Sequence, residues 1–64
     1  MELSRDKINL ALARKKMSVT KLAEVYGVSR ARMNAILNQR TVSVMVAGRM
    51  AEALGVDVTE IIKQ

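Results

Sequence analysis

The stretch Leu22-Ala23-Glu24-Val25-Tyr26-Gly27-Val28-Ser29-Arg30 decides how this chain is read. Leu22 and Tyr26 lie one helical turn apart, and the pattern stops at Gly27. Glycine adopts the left-handed conformation that closes a helix at little cost. Val28 is an apolar residue for the turn. Ser29 is a cap for a second helix that opens with Arg30-Ala31-Arg32 and reaches Met33. The small Ala23 sits one turn before Gly27, where a crossing helix can approach closely. Two short helices meeting at one glycine, the second opening basic, form the pattern of a helix-turn-helix.

Outward from this junction, one local pattern recurs five times: an apolar residue, a capping residue, three further residues, and a second apolar residue. It runs Leu3-Ser4 to Ile8, Met17-Ser18 to Leu22, Val28-Ser29 to Met33, Val42-Ser43 to Ala47, and Val56-Asp57 to Ile61. Each serine or aspartate can accept a hydrogen bond from an orphan N–H of the first helical turn. The flanking apolar pair can form a staple that fixes how the chain enters the helix, and Glu60 adds a capping box to Asp57. Gly27 and Gly55 supply stops, and Lys15 and Lys16 suit the negative end of the first helix. The spacing predicts helices at about 5–16, 19–26, 30–38, 44–54 and 58–63. The connections are short, so residues 1–64 are expected to form one all-α domain.

The expected core is Ile8, Leu12, Leu22, Tyr26, Val28, Met33, Ile36, Leu37, Ala47, Met50, Leu54, Val56, Val58, Ile61 and Ile62. Proline is absent and half the residues are apolar, which favours helix. Strand-like alternation occurs only over residues 41–46. Val42, Val44, Met45 and Val46 need a buried home, either in the core or in a contact with another subunit.

Composition excludes several functions. There is no cysteine and no histidine among the 64 residues. A disulfide framework, a thiol metal site and the usual neutral-pH acid–base group are therefore missing. Six carboxylates spread along the chain offer no evident nucleophile–base pair, so no enzyme, cofactor, metal or small-molecule ligand is expected. No apolar run approaches the ~20 residues of a membrane span, the first residues do not read as a signal peptide, and no helix sets basic residues against a large aromatic face. A soluble cytoplasmic protein is expected.

The net charge is +5, and its placement is more telling than its size. Between Arg14 and Arg49 lie Lys15, Lys16, Lys21, Arg30, Arg32 and Arg40, against Glu24 alone. A basic middle between acidic ends suggests one positive face, the footprint of a nucleic-acid binder. The plainer alternative is a solvated basic surface. Tyr26 is the sole aromatic residue, so stacking on single strands has almost nothing to work with.

These residues resemble the Cro/repressor-type, λ-repressor-like helix-turn-helix family of phage and bacterial regulators. Residues 22–30 are similar to its central motif. Ala51-Glu52-Ala53-Leu54-Gly55-Val56 with Glu60-Ile61-Ile62 resembles the end of its fourth helix and the short element after it. The resemblance implies a compact five-helix domain whose helix after Gly27 lies in a DNA major groove. By position it assigns base reading to Arg30, Ala31, Asn34, Ala35 and Asn38. Arg30 suits guanine, and Asn34 or Asn38 adenine or phosphate. It assigns phosphate contacts to Ser18, Thr20, Lys21, Ser29, Arg32, Arg40, Thr41 and Ser43. Family members usually carry glutamine where this chain has Val19. Many also carry a buried arginine–glutamate pair where it has Leu12 and Leu37, which are therefore expected to touch. Ala31 and Ala35 offer little hydrogen bonding and favour thymine-methyl contacts or shape readout.

The resulting expectation is a sequence-specific double-stranded DNA-binding regulator, a small Cro-like repressor. One copy reads only ~4–6 base pairs, so a homodimer on a pseudo-palindromic operator is expected, at least on DNA. Its interface is expected at Val56, Asp57 and Val58, with Met45 and Val46 as a second patch. The alternative is a protein-binding adaptor or antitoxin on the same fold, against which counts the lack of a long tail.

Overall fold

The computed structural model describes residues 1–63. Four α-helices, α1 (Arg5–Lys15), α2 (Val19–Tyr26), α3 (Arg30–Leu37) and α4 (Val44–Leu54), are followed by a 3₁₀ turn over Val58–Glu60. The all-helical expectation holds. The fifth helix expected over 58–63 is only this single turn, and the capping box of Asp57 and Glu60 starts it as anticipated. It ends early because the next backbone groups have other partners. Ile61 O accepts from Ser4 N at 2.8 Å, Lys63 N donates to Glu2 O at 2.9 Å, and Leu3 forms an antiparallel bridge with Ile62.

All five caps form. Ser4, Ser18, Ser29 and Ser43 accept from the backbone N–H groups of Lys7, Lys21, Arg32 and Val46 at 3.0–3.2 Å, and Asp57 accepts from Thr59 at 2.9 Å. The residue four positions after each cap, Ile8, Leu22, Met33, Ala47 or Ile61, has 0% exposure in every case. Each element is thus anchored to the core at its first turn, as a hydrophobic staple requires.

The same apolar residue often closes one element and starts the next. Met17, Val28 and Val56 each donate a backbone N–H five residues back, to Leu12, Ala23 and Ala51, which is the helix-ending Schellman pattern. Each also precedes the cap of the following element and packs on the core. One residue per junction leaves little freedom in the angle between successive elements. The left-handed residue just before it is Gly27 or Gly55 at two junctions, and Lys16, with φ 54°, at the third.

One buried cluster unites Ile8, Ala11 and Leu12 of α1 with the apolar faces of α2, α3 and α4, and Leu3, Val42 and Ile61 close it. Leu12 and Leu37 both belong to it, at 7% and 5% exposure. The expected core positions Val28, Val56, Val58 and Ile62 are only half-buried, packed against the cluster from its margin. α2 packs against both α3 and α4, while α1 and α4 flank the 3₁₀ turn.

Candidate nucleic-acid interface

α3 buries one face through Met33, Ile36 and Leu37, and these three residues fix its orientation. At helical spacing Ala31, Ala35 and Asn38 then lie opposite the core, Arg30 and Asn34 on one flank, and Arg32 on the other. All six are exposed. Among the described residues Arg30, Arg32 and Arg40 form no ion pair, so their charges are available to an anionic partner. Asn38 caps the C-terminal end of α3, its N–H donating to the Asn34 carbonyl at 3.0 Å. Its side chain is therefore carried at the end of the helix rather than on a further turn.

The eight residues of α3 span about 12 Å, a length and girth that a B-DNA major groove about 12 Å wide accommodates. Ser18, Ser29 and Ser43 each use Oγ as an acceptor from the backbone, which leaves the hydroxyl proton to donate outward to a phosphate oxygen. Val19 turns partly into the core, so the first turn of α2 presents Ser18, Thr20 and Lys21 to solvent. Lys21 lies 4.0 Å from Glu24, but both side chains are exposed and such a contact is weak.

Arg40, Thr41 and Ser43 come together on the segment leading into α4. This segment is braced in a way that no local pattern foreshadows. Val42 exchanges two 2.8 Å hydrogen bonds with Met1, and Thr41 bridges Glu2. Arg49, which counts toward the positive face in sequence, is instead engaged within the protein. Its guanidinium carbon stands 4.4 Å from the Tyr26 ring centroid, and Nη2 donates to the Tyr26 carbonyl at 3.1 Å. The two residues are 23 apart, and nothing in the sequence around either links them.

The two patches expected to meet a second copy differ in character. Val44 and Met45 are strongly exposed, at 69% and 75%, whereas Val46 is half-buried and packs on the core. Val56 and Val58 are likewise half-buried, and Asp57 between them is exposed. Backbone and then side-chain hydrogen bonds from Thr59 hold the Asp57 carboxyl below its ordinary pKa. A surface depression lined by Lys7, Leu10, Ala11, Arg14, Thr59 and Glu60 shares no residue with the α2–α3 unit.

A family model for the Cro/C1-type HTH DNA-binding domain matches residues 7–63. The chain belongs to this family. The match contains α2, the Gly27 turn and α3, with the whole of α4, and begins after the Met1–Leu3 segment that braces residues 41–42. Membership establishes a DNA-binding helix-turn-helix domain, the type of domain found in regulators. No significant match was found among curated proteins or among solved structures. Among the described residues no helix of this Cro/C1-type domain is long and apolar enough to cross a membrane. Nor do three or more aspartates and glutamates gather there as a metal site would require.

Proposed function

We propose that this protein is a sequence-specific transcriptional regulator that binds double-stranded DNA in the cytoplasm as a symmetric dimer, acting as a small Cro-like repressor on a pseudo-palindromic operator. One observation carries the reading. The helix after Gly27 is held to the core by Met33, Ile36 and Leu37 and presents an exposed face of arginine, alanine and asparagine that has no acidic partner among the described residues.

Arg30 is the base reader best suited to guanine, forking to O6 and N7, and Asn34 on the same flank suits adenine. Ala31 and Ala35 leave the centre of the face small and apolar, matched to thymine methyls. Arg32, on the far flank, and Arg40, Thr41 and Ser43 before α4 grip phosphates on either side. Ser18, Thr20, Lys21 and Ser29 complete that grip. Asn38 contributes from the helix end.

Two copies are proposed because one α3 reads only ~4–6 base pairs. One copy measures 26 × 22 × 17 Å. On a duplex, the α3 helices of two such copies would have to enter successive major grooves, about 34 Å apart along one face. Val44 and Met45 are the most exposed large apolar side chains and favour the start of α4 over Val56–Val58 as the meeting surface.

Selection from a random duplex library followed by a salt titration tests the reading. Affinity for the selected duplex is expected to fall with a log–log slope of several units. Arg40→Ala is expected to weaken all sequences alike and to lower that slope by about 1. A flat salt response would contradict a phosphate-gripping face.

A further inference from the structure

Arg49 belongs to α4, yet its guanidinium acts at the end of α2. Tyr26 is the last residue of α2, and the left-handed Gly27, at φ 98°, follows it. The Ala23 carbonyl takes the N–H groups of both Gly27 and Val28, at 2.8 and 3.0 Å, so the Tyr26 carbonyl is one of the acceptors a helix end leaves open. α2 has no basic residue in its own last turn. Arg49 supplies from another helix what the sequence of α2 lacks: a positive donor at the negative end of the helix and a flat cation over the Tyr26 ring.

We propose that Arg49 is a positioning residue for DNA binding: by tying α4 to the last residue of α2, it braces the helix end from which the turn into α3 starts, and it does so without touching DNA. The inference rests on the functional reading above. The base-reading candidates sit on α3, and the phosphate-binding segment Arg40–Ser43 leads into α4. The Arg49–Tyr26 contact is a polar tie between α4 and the end of α2, placed next to the one glycine that permits the turn into α3. Lysine is a poor substitute, because its compact ammonium cannot lie flat over the ring and donate to the carbonyl at the same time. Arg49 is exposed, but its guanidinium is engaged at Tyr26 and is not expected to reach a phosphate.

The test measures wild type, Arg49→Lys, Arg49→Met and Arg40→Ala on the selected duplex across a range of salt. Circular dichroism checks folding, and NMR follows the Tyr26 ring protons and the Gly27, Val28 and α3 amides. Arg49→Lys and Arg49→Met are each expected to bind about five- to ten-fold more weakly at every salt concentration, with an unchanged slope. Resonances of Tyr26, the turn and α3 are expected to move in both variants. Arg40→Ala, a phosphate contact, is expected to lower the slope by about 1. Should Arg49→Met fail to fold, the lysine variant alone decides the outcome. Wild-type affinity in Arg49→Lys overturns the proposal, as does a slope lowered by about 1 in Arg49→Met, the mark of a direct phosphate contact. Unmoved α3 resonances in both variants overturn it too. A wild type that binds no duplex with steep salt dependence overturns the functional reading itself, a result distinct from these.

Discussion

Replacing each of the three glycines by alanine tests whether backbone conformation or space governs these positions. Gly48 lies inside α4, and a Cβ built there meets nothing within 4 Å. Nothing opposes the gain in helix propensity, so Gly48→Ala is expected to stabilise by about 0.8–1 kcal/mol. For a domain of this size that raises Tm by roughly 3–8 °C. A Cβ at Gly27 also meets nothing within 4 Å, yet its φ is +98°. The cost there is that of the left-handed backbone, about 1–2 kcal/mol, with no clash involved. Gly55→Ala, at φ +70° with the flexible end of Lys15 at 3.5 Å, is expected to lose about 1 kcal/mol for the same backbone reason. A chain of 64 residues is stable by roughly 3–10 kcal/mol, so differences of this size are readily measured. Urea and thermal unfolding followed by circular dichroism read them, with an unchanged m-value showing that the folded state is preserved. The reasoning is refuted if Gly48→Ala fails to stabilise, or if Gly27→Ala unfolds at the wild-type midpoint.

Other outcomes come from the core and the caps. Leu37→Ala is expected to cost about 2–5 kcal/mol, because its side chain is 5% exposed inside the common cluster. A double-mutant cycle with Leu12→Ala tests whether the two leucines touch. A coupling of at least about 0.5 kcal/mol is expected if they do, and strict additivity would show that they do not. The Asp57 carboxylate is held below its ordinary pKa by hydrogen bonds from Thr59, so its contribution is present above the unfolded-state pKa and is lost as pH falls through the folded value. Asp57→Asn is therefore expected to flatten the acid side of the stability profile and leave its alkaline side unchanged.

Most of the helix-turn-helix was legible in the sequence because its determinants are local. A cap and its N–H partner lie two or three residues apart, a staple spans five, and Gly27 marks its own turn. The four α-helices accordingly fall close to the expected positions. What escaped reading depends on pairings that are distant in sequence. The Met1–Leu3 segment is too short to show alternation, yet it pairs with residues 41–42 on one side and 61–63 on the other. The same pairing converts the expected fifth helix into a single 3₁₀ turn. Charge counting puts Arg49 on the positive face, and only the packing of α4 against α2 reveals that it stacks on Tyr26. Within 41–46 the helical period that begins at Val44 separates buried Val42 and half-buried Val46 from exposed Val44 and Met45, which the alternating pattern could not do.

The most direct test of α3 as the base-reading element is to repeat the duplex selection with Arg30→Ala. A loss of about 1–3 kcal/mol on the wild-type site is expected, with relaxed preference at one base position per half-site and the other positions retained. An unchanged base preference at every position would contradict base reading by Arg30, the principal base reader proposed on α3.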